Sequence, residues 1–341
     1  MKSARWYGPL DIRLEEVPIP TPRSDEALVR VHWTGLCGSD VEEYLAGPVV
    51  VTPPVTLGHE IVGSVAVAAR NGSGPPVGTP VVVDVVTGCG ECFSCRRHEE
   101  GRCLTLVVTG QHVDGGLAEY VVGRASRLVV VPPGLELRHA ALAEPAAVAI
   151  RAVRRVGSLL GQTALVIGGG TIGLLVAQVL RNSGAPIVVV VEPSERRRMV
   201  AASLGFVTVW AASETERASA RSGLVPERGV DVVVECSGAS GAAREAVRAV
   251  RRGGTVILLS VTPEDQAIDA TDLVIGEKSV HGSAAHMWDD DVAVAVTQLA
   301  AGQLQVEPLV SLTVALNDVG TAFFTLADSS DVIKLLVDCA S

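Results

Sequence analysis

The spacing of apolar residues divides the chain into two parts with different rhythms. Up to about residue 148 the apolar runs are short, rich in valine and interrupted by proline and glycine, as in ALVRVHW, GSVAVAA and TPVVVDVV. Short apolar runs between turn residues are typical of β-rich domains. We therefore expect a β-rich, barrel-like domain over residues 1–148.

From about residue 160, apolar runs of strand length alternate with helical segments. The order is TALVIG, TIGLLVAQVLRNSG, IVVVVE, SERRRMVAASLG, FVTVW, a polar helical stretch, VDVVVECSG, GAAREAVRAVRRGG and TVILLSV. Strands that alternate with helices predict a parallel, doubly wound sheet, and nearly continuous Val and Ile runs suit strands covered on both faces. We expect an α/β domain over residues 149–287. After about residue 288 the alternation ends, and VIKLLVD is predicted to form a closing strand.

One segment is long enough to span a bilayer. From Val156 to Leu180 no residue is charged, and about 20 apolar residues suffice for a transmembrane helix. The glycines of GGGTIG interrupt this segment directly after a β-type run. We therefore predict a strand, a tight turn and a buried helix in its place.

Composition and charge narrow the functional classes. A chain of 341 residues is long enough for two domains that each bury a core. The net charge of −10 and the pI near 5.2 disfavour binding to phosphate backbones and acidic membrane surfaces. The segment MKSARWYGPLDIRLEE lacks the apolar stretch of a secretory signal. We expect a cytoplasmic protein with no nucleic-acid or membrane partner.

Four of the seven cysteines lie in one stretch, CGECFSCRRHEEGRCL. They are Cys89, Cys92, Cys95 and Cys103, separated by gaps of two, two and seven residues. Two disulfides would explain this crowding in a small secreted protein, whereas a metal would explain it in the cytosol, where thiols stay reduced. The expected location favours the metal and leaves disulfides as the weaker alternative.

A glycine-rich turn follows the first strand of the α/β domain. Gly168, Gly170 and Gly173 form a G-x-G-x-x-G motif, and the helix that it opens begins with Thr171 and Ile172. In this context the glycines allow a tight turn and close approach of a pyrophosphate to the helix N-terminus. We therefore expect these residues to bind a dinucleotide.

The choice of dinucleotide depends on two residues that follow the next strand. Glu192 lies about twenty residues beyond the turn, where a carboxylate accepts the ribose hydroxyls and repels a 2′-phosphate. This position favours NAD over NADP. Arg197, in the following ERRR run, could reach a 2′-phosphate, so NADP stays open as the second choice.

Further candidate residues lie far apart in the first domain. They belong to CGSD (residues 37–40), GHE (residues 58–60) and EPAAVA, which begins at Glu144. A lone cysteine or histidine is more often a core residue than a ligand.

However, the order CGSD, GHE, four cysteines, GGLAEY, EPAAVA, GGGTIG, ECSGA extends over nearly the whole chain. In this order the sequence resembles the zinc-dependent medium-chain alcohol and polyol dehydrogenases. The resemblance implies a GroES-like catalytic domain, a Rossmann cofactor domain and a return of residues 288–341 to the catalytic domain.

The resemblance also implies two zinc ions per chain. A catalytic zinc would be held by Cys37, His59 and a carboxylate, for which we favour Glu144, with Glu60 as an exchanging ligand or as a neighbour of the ligands. Three protein ligands and one open position are the usual catalytic arrangement. The structural zinc of the family would be held by Cys89, Cys92, Cys95 and Cys103.

The proton path and the remaining cofactor contacts also follow from the resemblance. Ser39 would contact the reacting oxygen and pass its proton towards solvent. Many family members have a relay histidine where this chain has Glu42, so Glu42 would serve as the base over a different pH range. The other expected cofactor contacts are Gly238, Ser283, Ala284 and Lys334.

Within the family the sequence is most similar to the 2,3-butanediol and acetoin dehydrogenases, through MKSARWYG, DIRLEEVP, CGSDVEEYLAGP, PVTLGHE and VVEPSERR. This likeness implies hydride transfer between NAD and a secondary alcohol or vicinal diol, in a homodimer or homotetramer. A cyclitol or aminocyclitol substrate, an NADPH-dependent carbonyl or imine reductase, and a non-catalytic zinc protein that binds NAD remain alternatives. Candidate pocket residues are Tyr44, Gln111, His286 and Trp288.

Overall fold

The computed structural model describes residues 1–209, 228–262, 265–287, 291–329 and 331–341. These residues form two units, one of residues 1–147, 286–302 and 309–341 and another of residues 148–285 and 303–308. The sequence placed the domain boundaries after residues 148 and 287. It did not anticipate that the short segment 303–308 packs with the second unit.

The first unit is built mainly of short strands. They are β1 (Lys2–Gly8), β2 (Asp11–Glu16), β3 (Glu26–Leu36), β4 (Val55–Thr56), β5 (Glu60–Val67), β6 (Pro80–Val83), β7 (Val86–Thr87), β8 (Val107–Val108), β9 (Tyr120–Arg124), β10 (Leu128–Val130), β17 (Val310–Ala315) and β18 (Lys334–Asp338). The β-rich domain expected from the valine-rich runs is therefore confirmed.

The main sheet of the first unit is organised around β3. Seven strands form it in the order β10-β6-β5-β3-β18-β17, with β9 also paired to β3. The register aligns Gly35 on β3 with Glu60 on β5 and with Leu336 on β18. The end of β3 and the beginnings of β5 and β18 therefore meet at one edge of the sheet. The closing strand predicted at VIKLLVD is confirmed as β18.

The first unit also contains helices. They are α1 (Gly38–Ala46), α2 (Leu137–Ala140), α3 (Ala143–Arg154, which ends in the second unit), α8 (Asp291–Ala300) and α9 (Val319–Asp328). At the start of α1, the Cys37 N–H donates to the Asp40 carboxylate at 2.9 Å. This is one half of a capping box and fixes Cys37 at the helix N-terminus.

The second unit alternates strands and helices. They are β11 (Thr163–Ile167), α4 (Thr171–Asn182), β12 (Ile187–Val191), α5 (Glu195–Ser203), β13 (Val207–Val209), β14 (Val230–Glu235), α6 (Ala242–Ala249), β15 (Val250–Leu258), α7 (Ala270–Gly276) and β16 (Ser279–Gly282). All strands pair in parallel, in the order β13-β12-β11-β14-β15-β16. This is the strand order of a doubly wound dinucleotide-binding fold, so the predicted α/β Rossmann domain is confirmed.

The uncharged segment 156–180 has the predicted form of a strand, a turn and a buried helix, in β11 and α4. In the described ranges, no helix has the length and apolar character that crossing a membrane requires. The buried face of α4 packs in the unit's core and needs no lipid.

One element boundary differs from the sequence prediction. The stretch GAAREAVRAVRRGG was expected to be helical throughout, but α6 ends at Ala249 and β15 begins at Val250. Val250 is buried and pairs with Val230, so strand pairing prevails over local helix propensity at this point. The polar helical stretch expected between FVTVW and VDVVVECSG lies outside the described residues.

The close packing of α4 on the turn after β11 gives a stability prediction. A methyl group at Gly173 would overlap the carbonyl oxygen of Gly168. We expect Gly173→Ala to lower the free energy of unfolding by about 1–3 kcal/mol, because backbone cannot move aside as a side chain can. Urea unfolding followed by circular dichroism measures this loss.

Gly170→Ala is the matched control for this variant. The nearest atom to a methyl group at Gly170 is Arg197 Nη1, at 3.7 Å. Only the smaller cost of replacing an N-cap glycine applies there, about 1 kcal/mol at most. Equal losses in the two variants would contradict the packing argument.

Candidate active site

The residues expected to hold the catalytic metal come together in the first unit. Cys37 follows β3, His59 comes directly before β5, which begins at Glu60, and Glu144 lies in the first turn of α3. Lys334, the first residue of β18, joins them. We call these five residues the polar cluster. All but the half-buried Cys37 are buried, so their charges need partners inside the protein.

Asp40 ties Cys37 to His59. Its carboxylate accepts hydrogen bonds from the N–H groups of Cys37, at 2.9 Å, and Gly58, at 3.3 Å, and lies 3.4 Å from His59 Nδ1. A carboxylate behind Nδ1 is typical of metal-binding histidines, because it fixes the ring and leaves Nε2 as the ligand. The sequence places Asp40 in the CGSD motif but does not by itself reveal this role. Its signal was the three-residue spacing from Cys37.

The charge of Asp40 also dominates the protonation of His59. Burial lowers the pKa of His59, but the Asp40 carboxylate and Cys37 more than offset this, so the pKa lies well above its ordinary value. The same negative surroundings stabilise a metal ion at the imidazole, because metal and proton compete for one nitrogen.

Glu60 is engaged by Lys334. The Lys334 ammonium donates to the two carboxylate oxygens of Glu60, at 2.6 and 2.8 Å, and to the Leu36 carbonyl at 2.8 Å. Burial alone would lower the pKa of Lys334, but Glu60 raises it, and the net shift is upward. The carboxylate fits beside β3 only because residue 35 is glycine, where a methyl group would overlap it. The sequence placed Lys334 among the cofactor contacts, whereas the structure places its ammonium group against Glu60.

Glu144 has a different neighbour. Its Oε1 atom lies 3.7 Å from Nε2 of His286, beyond hydrogen-bond distance. Burial raises the pKa of Glu144, and the charges of His59 and His286 oppose this shift without cancelling it. A bound cation would favour the ionised carboxylate.

His286, a pocket candidate in the sequence, is fully buried. Tyr44, another pocket candidate, is also buried, with its ring 5.1 Å from that of Phe323. Gln111 is half-buried, and Trp288 lies outside the described residues. Neither His286 nor Tyr44 is therefore an exposed pocket wall.

The ligand atoms of the polar cluster do not form a closed shell. In the parts of the chain that the structure describes, only Cys89, Cys92, Cys95 and Cys103 bring three or more metal-binding side chains within 4.8 Å of one another. The chemistry of the polar cluster still fits a catalytic zinc, because a thiol, an imidazole and a carboxylate are the ligands of open zinc sites.

Ser39 and Glu42 lie on one face of α1. They are three residues apart, so they are neighbours across one helical turn. Both side chains are half-buried, whereas the polar cluster is mostly buried. The pair fits a path for a proton from the neighbourhood of Cys37 towards solvent.

The four-cysteine stretch forms a compact lobe over residues 88–104. All four Sγ atoms lie within 4.8 Å of one another, and those of Cys89 and Cys95 are 3.9 Å apart. Four Zn–S bonds of about 2.3 Å would place sulphur atoms about 3.8 Å apart. All four cysteines are free thiols, so the disulfide alternative is not seen.

Hydrogen bonds prepare these thiols for a metal. The N–H groups of Cys89 and Cys92 donate to the sulphurs of Cys103 and Cys89, each at 3.3 Å. The Thr105 hydroxyl and the Cys89 N–H lower the pKa of Cys103 to about 6, whereas burial raises the pKa of Cys95 to about 12. Four thiolates cannot share this space without a cation, and a closed Cys₄ set fits a structural zinc.

The glycine turn of the second unit positions Glu192. Gly168 has a φ of +101°, which side chains rarely tolerate. The Gly169 N–H donates to Glu192 Oε2 at 2.6 Å, and the Ser194 N–H donates to Oε1 at 2.8 Å. The carboxylate is thus fixed beside the turn, at the end of β12. Arg197 lies near the same turn, close to Gly170.

The other expected cofactor residues of the second unit lie at the carboxyl ends of β14 and β16. Gly238 donates its N–H to Glu235 Oε1 at 3.0 Å, and Ser283 donates its N–H to the Leu258 carbonyl at 2.9 Å. Ala284 is exposed. Ligands bind at this end of doubly wound sheets. Sequence reasoning missed the buried Glu235, which organises the loop after β14.

Comparison with known proteins identifies the family. Two family models match, "Alcohol dehydrogenase GroES-like domain" at residues 23–133 and "Zinc-binding dehydrogenase" at residues 171–301. The (R,R)-butanediol dehydrogenase of Bacillus subtilis is 32% identical over 99% of each chain. The L-threonine 3-dehydrogenase of Pyrococcus furiosus is 33% identical over 91% of this chain and 89% of its own. Among solved structures, a zinc-binding dehydrogenase of Sinorhizobium meliloti bound to NADP is similar with a TM-score of 0.91 and 31% identity, covering 99% of this chain and 98% of that one.

These matches agree with the fold and with the donor set of the site. The GroES-like model spans Cys37, His59 and the four-cysteine lobe, and the second model begins at Thr171 in the glycine turn. The chain therefore belongs to the zinc-dependent medium-chain alcohol dehydrogenases and is an NAD(P)-dependent oxidoreductase of that family.

Proposed function

We propose that this enzyme transfers hydride between NAD and a secondary alcohol, with a vicinal diol as the preferred substrate. Cys37, His59 and Glu144 hold the catalytic zinc, and the four-cysteine lobe holds a structural zinc. The observation that supports this most directly is Asp40, which binds the backbone of Cys37 and faces His59 Nδ1. A buried carboxylate beside Nδ1 orients the imidazole so that Nε2 can bind a metal.

Glu144 is the better carboxylate ligand because Glu60 already has a partner. Both oxygens of Glu60 accept hydrogen bonds from the Lys334 ammonium. Moving Glu60 to a metal would leave a buried ammonium without its carboxylate, which is costly. Glu144 has no such commitment, and its buried carboxyl group gains most from a cation. Glu60 remains a neighbour that balances the charge of Lys334.

The zinc supplies Lewis acidity, which stabilises negative charge on the substrate oxygen. The chain's own residues handle the proton. Ser39 lies two residues beyond Cys37, where its hydroxyl can accept the alcohol proton and pass another outward. Glu42, one turn further along α1, is the carboxylate that receives it on the way to solvent.

The preference for NAD rests on Glu192. Its carboxylate is fixed by two backbone N–H groups at the end of β12, where it meets the adenosine ribose in a Rossmann fold. A 2′-phosphate there would face a negative charge that cannot turn away. The Sinorhizobium meliloti relative is bound to NADP. The preference of this chain for NAD therefore has to be measured directly.

The vicinal diol is supported by the Bacillus subtilis relative, a butanediol dehydrogenase that aligns over 99% of each chain. We further propose that the enzyme is cytoplasmic, in keeping with its free thiols. A homodimer or homotetramer would cover β16, the end strand of the described six-stranded sheet.

The first prediction of this proposed function concerns the zinc ligands. We expect two zincs per chain in the purified enzyme and one each in Cys37→Ala, Glu144→Ala and Cys89→Ala, measured by plasma mass spectrometry. Cys37→Ala and Glu144→Ala should lose activity by at least about a thousandfold, because the Lewis acidity that a bound zinc would supply is then lost. Two zincs in Glu144→Ala would show that another residue completes the site.

Glu60→Gln is the matched carboxylate control. This variant should keep both zincs but lose about 3–5 kcal/mol of stability, because it leaves the Lys334 ammonium buried and unpaired. Glu60→Gln combined with Lys334→Met should recover much of that loss, because the unpaired charge is then gone. Thermal and urea unfolding measure both effects.

The second prediction concerns the cofactor. Glu192→Ala should shift the ratio of kcat/KM for NAD over NADP towards NADP by at least about tenfold, the effect of removing roughly 1.4 kcal/mol of discrimination. Adding Arg197→Ala to Glu192→Ala should reverse part of this shift towards NADP. Adding Arg196→Ala, which replaces an exposed arginine, is the control and should leave the shift unchanged. An unchanged ratio in Glu192→Ala would assign the preference elsewhere.

The third prediction tests the substrate. Steady-state kinetics with NAD on 2,3-butanediol isomers, acetoin, cyclitols, aminocyclitols, L-threonine and simple secondary alcohols should give the highest kcat/KM for a vicinal diol. A cyclitol or aminocyclitol that exceeds the diols by tenfold or more would replace this proposal with the alternative named from the sequence. No turnover by the zinc-loaded enzyme of any substrate in the panel would count against the vicinal-diol proposal.

A further inference from the structure

His286 lies buried between two carboxylates. Its ring is fully inaccessible, with Nδ1 at 3.8 Å from Asp84 Oδ1 and Nε2 at 3.7 Å from Glu144 Oε1. Among the described residues, neither ring nitrogen has a hydrogen-bond partner. A buried imidazole with two unsatisfied nitrogens is rare, because each unmet polar group costs free energy. Both distances are within about 1 Å of a hydrogen bond.

The Asp84 side of this arrangement is anchored. Asp84 is buried and accepts a hydrogen bond from the Val86 N–H at 3.1 Å. Arg127 faces its other oxygen at 3.5 Å and also donates to the Val86 carbonyl at 2.9 Å. Asp84 is therefore fixed by neighbours of its own, and it can hold His286 in turn.

The Glu144 side is the one that remains open to adjustment. Glu60 has Lys334 as its cation, and Asp84 has Arg127. Glu144 has the His286 ring as its neighbour at 3.7 Å, and His59 and Lys334 act on it without a hydrogen bond. Carboxylates only accept hydrogen bonds, so a ring between two of them is placed to donate from its nitrogens. Because His286 is inaccessible, it meets Glu144 and not a substrate.

We propose that His286 is the positioning residue of the metal-binding carboxylate: Asp84 fixes the imidazole, and the Nε2–H donates to one oxygen of Glu144, so that the other oxygen faces the catalytic zinc. This inference rests on the proposed role of Glu144 as a ligand. Hydrogen bonds from outside the ligand shell orient metal ligands, and their loss costs about 10–100-fold in metal affinity.

Two amide variants separate donation from packing. In His286→Gln the amide nitrogen reaches the place of Nε2 and can still donate to Glu144. In His286→Asn it reaches only the place of Nδ1, on the Asp84 side. We expect His286→Asn to release the catalytic zinc at about 10–100-fold lower chelator concentration than the unaltered enzyme. His286→Gln should stay within about threefold of the unaltered enzyme.

The measurement is zinc content by plasma mass spectrometry after dialysis against increasing dipicolinate. Retention of the zinc in the four-cysteine lobe, together with an unchanged melting temperature, shows that each variant is folded. His32→Gln, in the same unit but hydrogen-bonded to Ser64, is the control and should behave as the unaltered enzyme. Replacement of zinc by cobalt adds a spectroscopic readout, in which His286→Asn alone should change the visible bands of the Cys37 site.

Each outcome separates this inference from the proposed function. If Glu144→Ala keeps both zincs, the assignment of Glu144 as a ligand fails. If Glu144→Ala releases a zinc but both amide variants hold it as tightly as the unaltered enzyme, only the role of His286 fails. Equal losses in His286→Gln and His286→Asn would also overturn that role, because the difference between the two donor positions would then have no effect.

Discussion

The first unit depends on finding a partner for each carboxylate that it buries. Moving a carboxylate out of water is costly unless hydrogen bonds or a cation replace the water. Asp40 receives two backbone N–H groups, Glu60 receives Lys334, and Asp84 receives Arg127 and a backbone N–H. Glu144 lacks such a partner, since Nε2 of His286 stands 3.7 Å from its carboxylate, beyond hydrogen-bond distance. Asp40, Glu60 and Asp84 are thus engaged by other groups, whereas Glu144 is left in the position of a ligand.

The parts of the site that the sequence predicted are the local ones. The four-cysteine lobe and the glycine turn are each made by residues within a short stretch, so their spacing alone indicates a metal and a dinucleotide. The ion pair of Glu60 and Lys334 joins residues 274 positions apart. It exists because β18 and β5 flank β3 in one register, and no spacing rule in the sequence encodes that register. For the same reason, sequence reasoning placed Lys334 with the cofactor.

The role of Asp40 shows a second limit of sequence reasoning. The CGSD motif indicates a role for its cysteine, but its aspartate lies against an imidazole 19 residues further along the chain, beyond α1 and β4. Likewise, β15 begins at Val250 although the local sequence favours a helix, because Val250 pairs with Val230 across the sheet. In both cases the missing information was a contact between elements, whereas patterns of period and spacing describe single elements.

The arrangement around His286 is also connected to the four-cysteine lobe. Glu100, in the lobe, is 3.9 Å from Arg127, the residue that fixes Asp84. Gly101 packs so closely on the His286 backbone that a methyl group there would stand 2.8 Å from the His286 carbonyl oxygen. A metal held by the four cysteines would also fix Glu100 and Gly101, which lie against Arg127 and the His286 backbone. The lobe and the polar cluster are thus linked through a row of buried ionisable side chains, Glu100, Arg127, Asp84, His286 and Glu144. An ion held in the lobe would therefore support the geometry of the polar cluster.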